Sequence, residues 1–189
     1  MDLKSLFTPF PVLSTPRLIL RALRISDLDD LYEYASDPEI DHYVPWEHYK
    51  NIEEARENLN EFLEEYQKDG LGAWGIEHRV DKKLIGIINT SIPHRINRRV
   101  EVGYTIARAY WGQGYATEAV QAVIKFGFEK MDLVRMEAVV LRDNIASARV
   151  LEKAGMKFEG LLHSYQIWRG QPRNLQMYAV TNPMKGWEM

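Results

Sequence analysis

Two glycines that stand two residues apart, Gly112 and Gly114, mark the stretch of the sequence best suited to chemistry. They belong to residues 110–116 (YWGQGYA), which join a strand-like segment to a helix-like one. Glycine lets the backbone approach a ligand closely, and successive N–H groups can then converge at the positive end of a helix. Such a turn favours a phosphate group. The spacing alone is equally compatible with a tight connection that binds nothing.

Other phosphate-binding motifs fit this turn less well. The dinucleotide-binding fingerprint requires a third small residue, and Thr117 occupies that position. The sequence also contains no Gly-Lys-Ser or Gly-Lys-Thr loop of the kind that binds nucleoside triphosphates. The turn therefore predicts phosphate binding of another type, if it binds phosphate at all.

The chain has no cysteine, which removes several classes of chemistry. Disulfide frameworks, thiolate metal sites and a covalent cysteine thioester are excluded, so any acyl transfer must take another route. The five histidines, at positions 42, 48, 78, 94 and 163, show no metal-ligand spacing. We therefore predict that the protein holds no metal.

The charge is small overall but unevenly distributed. The net charge of −3 argues against general binding of nucleic acid. Fifteen acidic and three basic residues lie between Asp27 and Asp69, so the rest of the chain is net basic. An acidic rim would attract a cationic amine and a basic remainder would attract a polyanion. The first residues carry no readable signal peptide or membrane anchor, and we expect a cytoplasmic protein.

The elements around the turn follow from hydrophobic periodicity. Strand-like runs are expected at residues 17–23, 72–78, 84–92, 99–106, 136–141, 157–168 and 174–181. Helices are expected from Asp27, as a cap, to Ala35, over residues 52–68, along an apolar stripe at 116–131, and from Asn144 to about Gly155. The order predicts a single mixed α/β domain over residues 1–189, with its core at about 14–181. Only the strands that flank the striped helix need be parallel.

Several stretches taken together resemble the GCN5-related N-acetyltransferase (GNAT) superfamily, within it the ribosomal-protein alanine and serine N-acetyltransferase (RimJ/RimL type) branch. The likeness covers most of residues 14–181. It rests on residues 15–21 (TPRLILR), 36–39 (SDPE), 101–104 (EVGY), 110–119 (YWGQGYATEA) and 144–153 (NIASARVLEK). The resemblance implies a twisted, mostly antiparallel sheet of about seven strands with a splayed central parallel pair, and about four helices. It also implies acetyl-coenzyme A (acetyl-CoA) as the cosubstrate.

The resemblance further implies how the cosubstrate is held. The backbone of Tyr104, Thr105 and Ile106 would pair with the pantetheine arm as an added strand does. Asn144 would bond the pantetheine amide. On spacing alone, with Ser147 three residues on, a plain helix cap is the stronger reading, and the two roles can coexist. Ala109 stands where the superfamily often has Gln or Arg, which leaves Arg108 as a helper. The diphosphate would lie on the turn, at Gly112, Gln113, Gly114, Tyr115, Ala116 and Thr117.

The catalytic groups depart from the commonest pattern of the superfamily. Many members carry a tyrosine acid seven residues after the equivalent of Asn144, and here Leu151 stands there. The resembling branch makes Ser147, one helical turn earlier, the candidate for protonating the departing thiolate. Glu101 is the candidate for accepting the amine proton, directly or through water. An equally good reading of Glu101 is a strand carboxylate paired with Arg98 or Arg99.

The acceptor is expected beside an aromatic cluster at residues 42–49, where the superfamily admits its amine. Tyr43, Trp46 and Tyr104 are the predicted acceptor-binding residues, and a loop packed on the core is the plainer reading of the cluster. We expect transfer to the N-terminal α-amino group of a protein in a ternary complex. The alternatives are a polyamine or aminoglycoside acetyltransferase, and an acyl-CoA-binding module without turnover. The sequence leaves open whether the chain acts as a monomer or a homodimer.

Overall fold

The computed structural model describes residues 3–68, 72–91, 93–94 and 96–183. Within them eight strands form one sheet. The strands are β1 (Leu13–Ser14), β2 (Leu18–Ala22), β3 (Trp74–His78), β4 (Leu84–Thr90), β5 (Arg99–Ile106), β6 (Arg135–Leu141), β7 (Lys157–Trp168) and β8 (Gln171–Thr181). The α-helices are α1 (Leu3–Leu6), α2 (Leu28–Ala35), α3 (Ile52–Lys68), α4 (Tyr115–Glu129) and α5 (Ile145–Lys153).

The sheet has the order β1-β2-β3-β4-β5-β6-β8-β7, and every neighbouring pair is antiparallel except β5 with β6. Helix α4 connects these two strands, which is the crossover that a parallel pair requires. The mixed α/β class, the mostly antiparallel sheet and its parallel pair are thereby confirmed. The short β1 raises the strand number to eight, one more than expected.

Apolar stripes on the helices cover the two faces of the sheet. On one face the stripe of α4, including Val120 and Val123, packs with Leu151 of α5 against the strands. On the other face Leu31 of α2 and Leu59 of α3 form a second cluster. These residues are almost completely buried, and burial of such side chains is the main favourable term in folding. The helices thus hold the central strands from both sides.

The parallel pair separates part of the way along its length. Strands β5 and β6 pair only at three positions, Arg99 with Arg135, Val100 with Met136 and Glu101 with Glu137. Beyond them β5 stays paired with β4 as far as Ile106, and β6 stays paired with β8 as far as Leu141. The two halves of the sheet therefore diverge, and a wedge opens between β5 and β6. This is the splay that the resemblance implied.

Most element boundaries agree with the periodicity, and a few differ. The helix over 52–68 and the strands 99–106 and 157–168 have the expected bounds. The strand expected over 84–92 ends at Thr90, and residue 92 lies outside the described residues. The strands expected at 72 and 174 begin at Trp74 and Gln171.

Asp27 was expected to cap a helix, and its side chain does not. It makes no capping hydrogen bond to α2. Its carboxylate instead accepts hydrogen bonds of 2.8 Å from both terminal nitrogens of Arg21, and Arg21 also bonds Glu77 at 2.6 Å. Asp27 is 2% exposed. A buried carboxylate is stable only when its charge is compensated, so it binds the guanidinium rather than the helix end.

Candidate active site

A cleft of about 1090 Å³ occupies the wedge between β5 and β6. Its walls combine the diverging strands, the turn before α4, the start of α5 and the aromatic segment near residue 45. It is lined by members of each predicted set of catalytic, cosubstrate-binding and acceptor-binding residues. The splay thus brings together segments that are more than a hundred positions apart in the chain.

The backbone of β5 offers unused hydrogen-bonding groups to this cleft. The carbonyl of Glu101 accepts from Ser91 N–H, and Ala107 N–H donates to Ile85, so odd-numbered residues bond toward β4. Because strand residues alternate in direction, the backbone groups of Tyr104 and the N–H of Ile106 point the other way, toward β6 but beyond its last pair with β5. There β6 has already diverged. The carbonyl of Ile106 accepts a 2.6 Å hydrogen bond from the indole of Trp111.

The turn before α4 has the backbone that its glycines allow. Gly112 has φ of +73° and Gly114 has φ of +84°, which is the left-handed region that disfavours other residues. Gly114 is the N-cap of α4, so the first free N–H groups of the helix lie here. Gly112, Gly114, Ala116 and Thr117 line the cleft. The turn can therefore present an anion with backbone donors and the positive end of a helix dipole.

The side chains of the other turn residues point elsewhere. Tyr115 is 8% exposed, and its hydroxyl lies 3.0 Å from Nε2 of His78. The side-chain amide of Gln113 donates to the carbonyl of Ala109 at 3.0 Å. Arg108 forms a 2.7 Å ion pair with Asp37 and is not among the residues that line the cleft. An anion bound at this turn would therefore meet mainly backbone groups.

Tyr104, Ser147 and Asn144 meet at the middle of the cleft. The hydroxyls of Tyr104 and Ser147 share a hydrogen bond of 2.7 Å. Burial raises the pKa of Tyr104 to about 12, against a smaller lowering by Ser147, so its hydroxyl keeps its proton at neutral pH. Asn144 caps α5, because its Oδ1 accepts a 3.0 Å hydrogen bond from the N–H of Ser147. The capping oxygen leaves the Asn144 amide nitrogen available to a ligand.

Glu101 lines the same cleft and has no ion-pair partner among the described residues. The two arginines expected as alternatives bind other carboxylates: Arg98 pairs with Asp132 at 2.9 Å, and Arg99 pairs with Glu137. Burial raises the pKa of Glu101 above its ordinary value, and the negative charge of Glu137 raises it further, while Arg99 opposes the shift. A partly buried carboxylate with a raised pKa is suited to accepting a proton near neutral pH.

The far end of the cleft is aromatic. Tyr43 and Trp46 line it together with Tyr104, which brings the three predicted acceptor-binding residues to one cavity. Trp46 stacks on Tyr49 at 5.8 Å between ring centroids, and Tyr43 stands edge-on to Trp111 at 6.4 Å. The aromatic segment is fastened to the β7–β8 hairpin, because the guanidinium of Arg169 donates to the carbonyl of Asp41.

Three basic residues at the site were not predicted from the sequence. Arg149 and Lys153, one helical turn apart on α5, line the cleft. Their i,i+4 spacing was readable in the sequence, but the face of α5 that they share was not. Arg17 lies against the turn before α4 and bonds Gln113 and Glu118. Residues 15–21 contributed to the family resemblance, but nothing in the sequence indicated that the Arg17 side chain contacts the turn.

No cluster of three or more His, Cys, Asp or Glu side chains with the arrangement of a metal site is found among the described residues. No helix in the described part of the chain is both long enough and apolar enough to cross a bilayer.

Comparison with known proteins identifies relatives of the chain. The family model described as "Acetyltransferase (GNAT) domain" matches residues 17–157. An uncharacterised N-acetyltransferase of Bacillus subtilis (strain 168), YoaA, is 37% identical over 174 residues, with 92% of this chain and 98% of the relative covered. The [ribosomal protein uS5]-alanine N-acetyltransferase of Escherichia coli (strain K12) is 27% identical, with 90% of this chain and 91% of the enzyme covered.

Solved structures have the same architecture. A GNAT-family acetyltransferase from Bacillus anthracis superposes with a TM-score of 0.80 at 27% identity, with 91% of this chain and 99% of that chain covered. RimL, a ribosomal L7/L12 alpha-N-protein acetyltransferase solved in complex with coenzyme A, superposes with a TM-score of 0.77 at 21% identity, with 90% and 98% covered.

Proposed function

Since this chain belongs to the GNAT family of acetyltransferases and is an N-acetyltransferase, we propose that it transfers acetyl from acetyl-CoA to the N-terminal α-amino group of a protein, by direct transfer in a ternary complex in the cytoplasm. Its relatives include an enzyme that acts on an alanine of a ribosomal protein, which confirms the resemblance to the RimJ/RimL-type branch. The chemistry of the cleft supports this reaction at each step.

The observation that carries the proposal is the continuity of the cleft. Unused backbone groups on β5 lead directly to the glycine turn at the start of α4, and both line one cavity. Acetyl-CoA has a pantetheine arm with two amides that ends in a diphosphate. The amides match an unpaired strand edge, and the diphosphate matches a helix N-terminus. A ligand with only one of these parts would use half of the site.

These backbone and side-chain groups define how acetyl-CoA would bind in the cleft. The Tyr104 to Ile106 segment pairs with pantetheine, and the Asn144 amide nitrogen donates to a pantetheine carbonyl while its oxygen caps α5. The diphosphate accepts from the backbone of the Gly112 to Thr117 turn. The basic side chains of Arg149 and Lys153 add positive charge along the cleft. Arg108 is engaged with Asp37 and contributes at most a distant charge.

The reaction then requires deprotonation of the amine, stabilisation of the oxyanion and protonation of the departing thiolate. Glu101, through a water molecule, accepts a proton from the ammonium form of the acceptor, and the neutral nitrogen attacks the thioester carbonyl. A backbone N–H in the gap of β5 stabilises the negative oxygen of the tetrahedral intermediate. When the C–S bond breaks, the attacking nitrogen loses its second proton to water and the hydroxyl of Ser147 protonates the thiolate. Tyr104 passes its own proton to Ser147 across their shared hydrogen bond, and solvent returns a proton to Tyr104. The products are the amide and free coenzyme A.

The shape and charge of the acceptor end favour an α-amino group over a polyamine. Within the described residues, the carboxylates that line the cleft belong to Glu101 and Asp143. A polyamine carries several cationic nitrogens and needs several unpaired carboxylates to hold them. Two carboxylates are too few for a polyamine with more cationic nitrogens than that, whereas an aromatic-lined cleft with Glu101 as base suits a single amine attached to an apolar or backbone group. Asp41, near the entrance, is already paired with His48 at 2.8 Å.

A panel of amines tests the proposal. The purified protein is mixed with acetyl-CoA and peptides that begin with Ala or Ser, with spermidine, or with an aminoglycoside, and release of free thiol is recorded. We expect turnover with a peptide, no turnover after its N-terminus is blocked, and kinetics of a ternary complex. Turnover with spermidine alone would favour the small-amine alternative. Binding of coenzyme A without thiol release for any amine would favour the module without turnover.

A further inference from the structure

Arg17 lies directly behind the turn before α4. Its Nη1 donates a 2.9 Å hydrogen bond to the carbonyl of Gln113, and its Nε forms a 2.7 Å ion pair with Glu118. The guanidinium also stacks over the ring of Tyr115, 4.3 Å from the ring centroid. One side chain from the segment before β2 therefore contacts both the turn and the first helical turn of α4.

The contact with Gln113 determines the direction of a neighbouring donor. In a trans peptide the C=O and the following N–H point in opposite directions. Because the carbonyl of Gln113 points at Arg17, the N–H of Gly114 points away from Arg17. No acceptor for this N–H is found among the described residues. Gly114 lines the cleft and Gln113 does not, so the N–H is directed toward the side where an anion would lie.

Arg17 is itself held in place by a second set of bonds. Oε1 of Glu118 accepts from the hydroxyl of Thr15 at 2.6 Å and from the N–H of Arg17 at 2.9 Å, and Oε2 accepts from the guanidinium. These donors outweigh the burial of the group, and the pKa of Glu118 lies below its ordinary value. The planar guanidinium is thus fixed at two nitrogens, an arrangement that a lysine ammonium does not reproduce.

We propose that Arg17, fixed by Glu118, is a positioning residue for the diphosphate of acetyl-CoA: by binding the carbonyl of Gln113 it turns the N–H of Gly114 into the anion site. This inference rests on the proposed function, since it assigns a role within the cosubstrate site. It also accounts for the Thr15-x-Arg17 pair in the sequence, because both side chains converge on Glu118.

Arg17 could assist diphosphate binding either by its positive charge or by orienting the Gln113–Gly114 peptide, and the two roles predict different effects of substitution. If Arg17 acts only as a positive charge near the diphosphate, Arg17→Lys would keep the affinity and Glu118→Gln, which removes a nearby negative charge, would tighten binding. If Arg17 acts by orienting the peptide, both substitutions weaken binding. A lysine at position 17 lacks the planar fork, and Glu118→Gln removes the charged partner that fixes Arg17.

The experiment compares two acetyl donors with the full-length protein. The KM is measured for acetyl-CoA and for S-acetylpantetheine, which has no diphosphate, in the wild type and in Arg17→Gln, Arg17→Lys and Glu118→Gln. Arg56→Gln is the control, since Arg56 forms an exposed ion pair with Glu53 on α3. We expect the KM for acetyl-CoA to rise about tenfold in Arg17→Gln and several-fold in the other two, with the KM for S-acetylpantetheine within about twofold of wild type. The control stays at wild-type values.

The outcomes distinguish failure of the role inferred for Arg17 from failure of the proposed acetyltransferase function. Equal losses for both donors, or an Arg17→Lys variant that matches the wild type, would overturn the inference. If the wild type binds coenzyme A and Arg17→Gln binds it equally well by calorimetry, the inference fails and the proposed function stands. If the wild type binds no coenzyme A, both fail. Glu118→Gln retains the Arg17 side chain and removes the charged partner that fixes it, so it provides the test should Arg17→Gln not fold.

Discussion

The partly buried charge of Glu101 destabilises the folded protein, and the same environment suits Glu101 to the proton acceptance proposed for it. Its carboxylate lies in the cleft without an ion pair among the described residues, since Arg98 and Arg99 bind other acids. Burial and the nearby Glu137 raise its pKa. A carboxyl group whose pKa is raised by folding stabilises the fold below its ordinary pKa, and this contribution is lost as the pH rises through the raised value. The ionised form is therefore the destabilising one.

Replacement of Glu101 tests both consequences. We expect Glu101→Gln to lower kcat about 100-fold or more, because general-base catalysis contributes roughly that much, and to raise the melting temperature at pH 7, because the buried charge is removed. Wild-type kcat/KM should rise with pH through the raised pKa, and this limb should vanish in the variant. The control is Glu57→Gln, on the exposed surface of α3. An unchanged kcat would remove Glu101 from the mechanism.

The Tyr104–Ser147 hydrogen bond provides a second prediction at this scale. Its 2.7 Å length puts the two hydroxyls in direct contact, and burial raises the pKa of Tyr104 to about 12, so that hydroxyl stays protonated. We propose that the two hydroxyls act together. We expect Ser147→Ala to lower kcat about 100-fold and Tyr104→Phe to lower it less. The double variant should be no slower than Ser147→Ala, because groups that act together are not additive. Tyr165→Phe, which alters an exposed tyrosine, is the control. Additive losses would mean that the two hydroxyls act separately.

At the scale of elements, the turn before α4 depends on backbone conformation more than on space. A Cβ at Gly112 would meet nothing within 4 Å, and one at Gly114 would come 3.5 Å from Arg17. The positive φ values at both positions are the obstacle to other residues. The glycines are therefore required by the backbone conformation of this turn, which we propose directs N–H groups toward the diphosphate.

Alanine at Gly114 tests this requirement. We expect a loss of about 1–2 kcal/mol in stability from the left-handed φ, and at least a tenfold rise in the Kd for coenzyme A as the turn relaxes. Gly155→Ala is a matched control, because Gly155 also has a positive φ, of +96°, with nothing within 4 Å of its Cβ position, and it follows α5 outside the turn. It should lose similar stability and keep its affinity. Equal effects on affinity would remove the turn from the anion site.

At the scale of the whole molecule, the two halves of the sheet are joined by three residue pairs between β5 and β6. Strands β1 to β5 form one half and β6, β8 and β7 form the other. A ligand that pairs with β5 and contacts β6 and α5 would connect the halves. The single domain predicted from chain length stays a prediction, and we expect cooperative folding of the two halves to depend on this junction.

Ligand binding should therefore stabilise the molecule at the wedge. Coenzyme A at about 100 times its Kd should raise the free energy of unfolding by roughly 2.7 kcal/mol. Amide hydrogen exchange should slow most at residues 102–106 and 112–117. The exposed N–H groups of β7, at the sheet edge, are an internal control. Uniform protection, or protection confined to β7, would place the ligand elsewhere.

Much of this protein could be read from the sequence because the deciding forces are local. The apolar stripes fixed the bounds of α3 and the course of α4, and glycines two apart marked a turn that needs positive φ. The order of elements required one parallel pair. The motifs together were specific enough to indicate the family that the comparisons identify.

The tertiary structure decided what depends on contacts between distant segments. Which acid Arg99 binds, and so whether Glu101 is free, depends on β6 beside β5. The bond between Tyr104 and Ser147 joins residues 43 positions apart, and that between Arg17 and Gln113 joins residues 96 apart. Asp27, read as a cap, binds Arg21 because burial makes an uncompensated charge costly. Periodicity reports which face of an element is buried, and only the packed fold sets which charged groups meet.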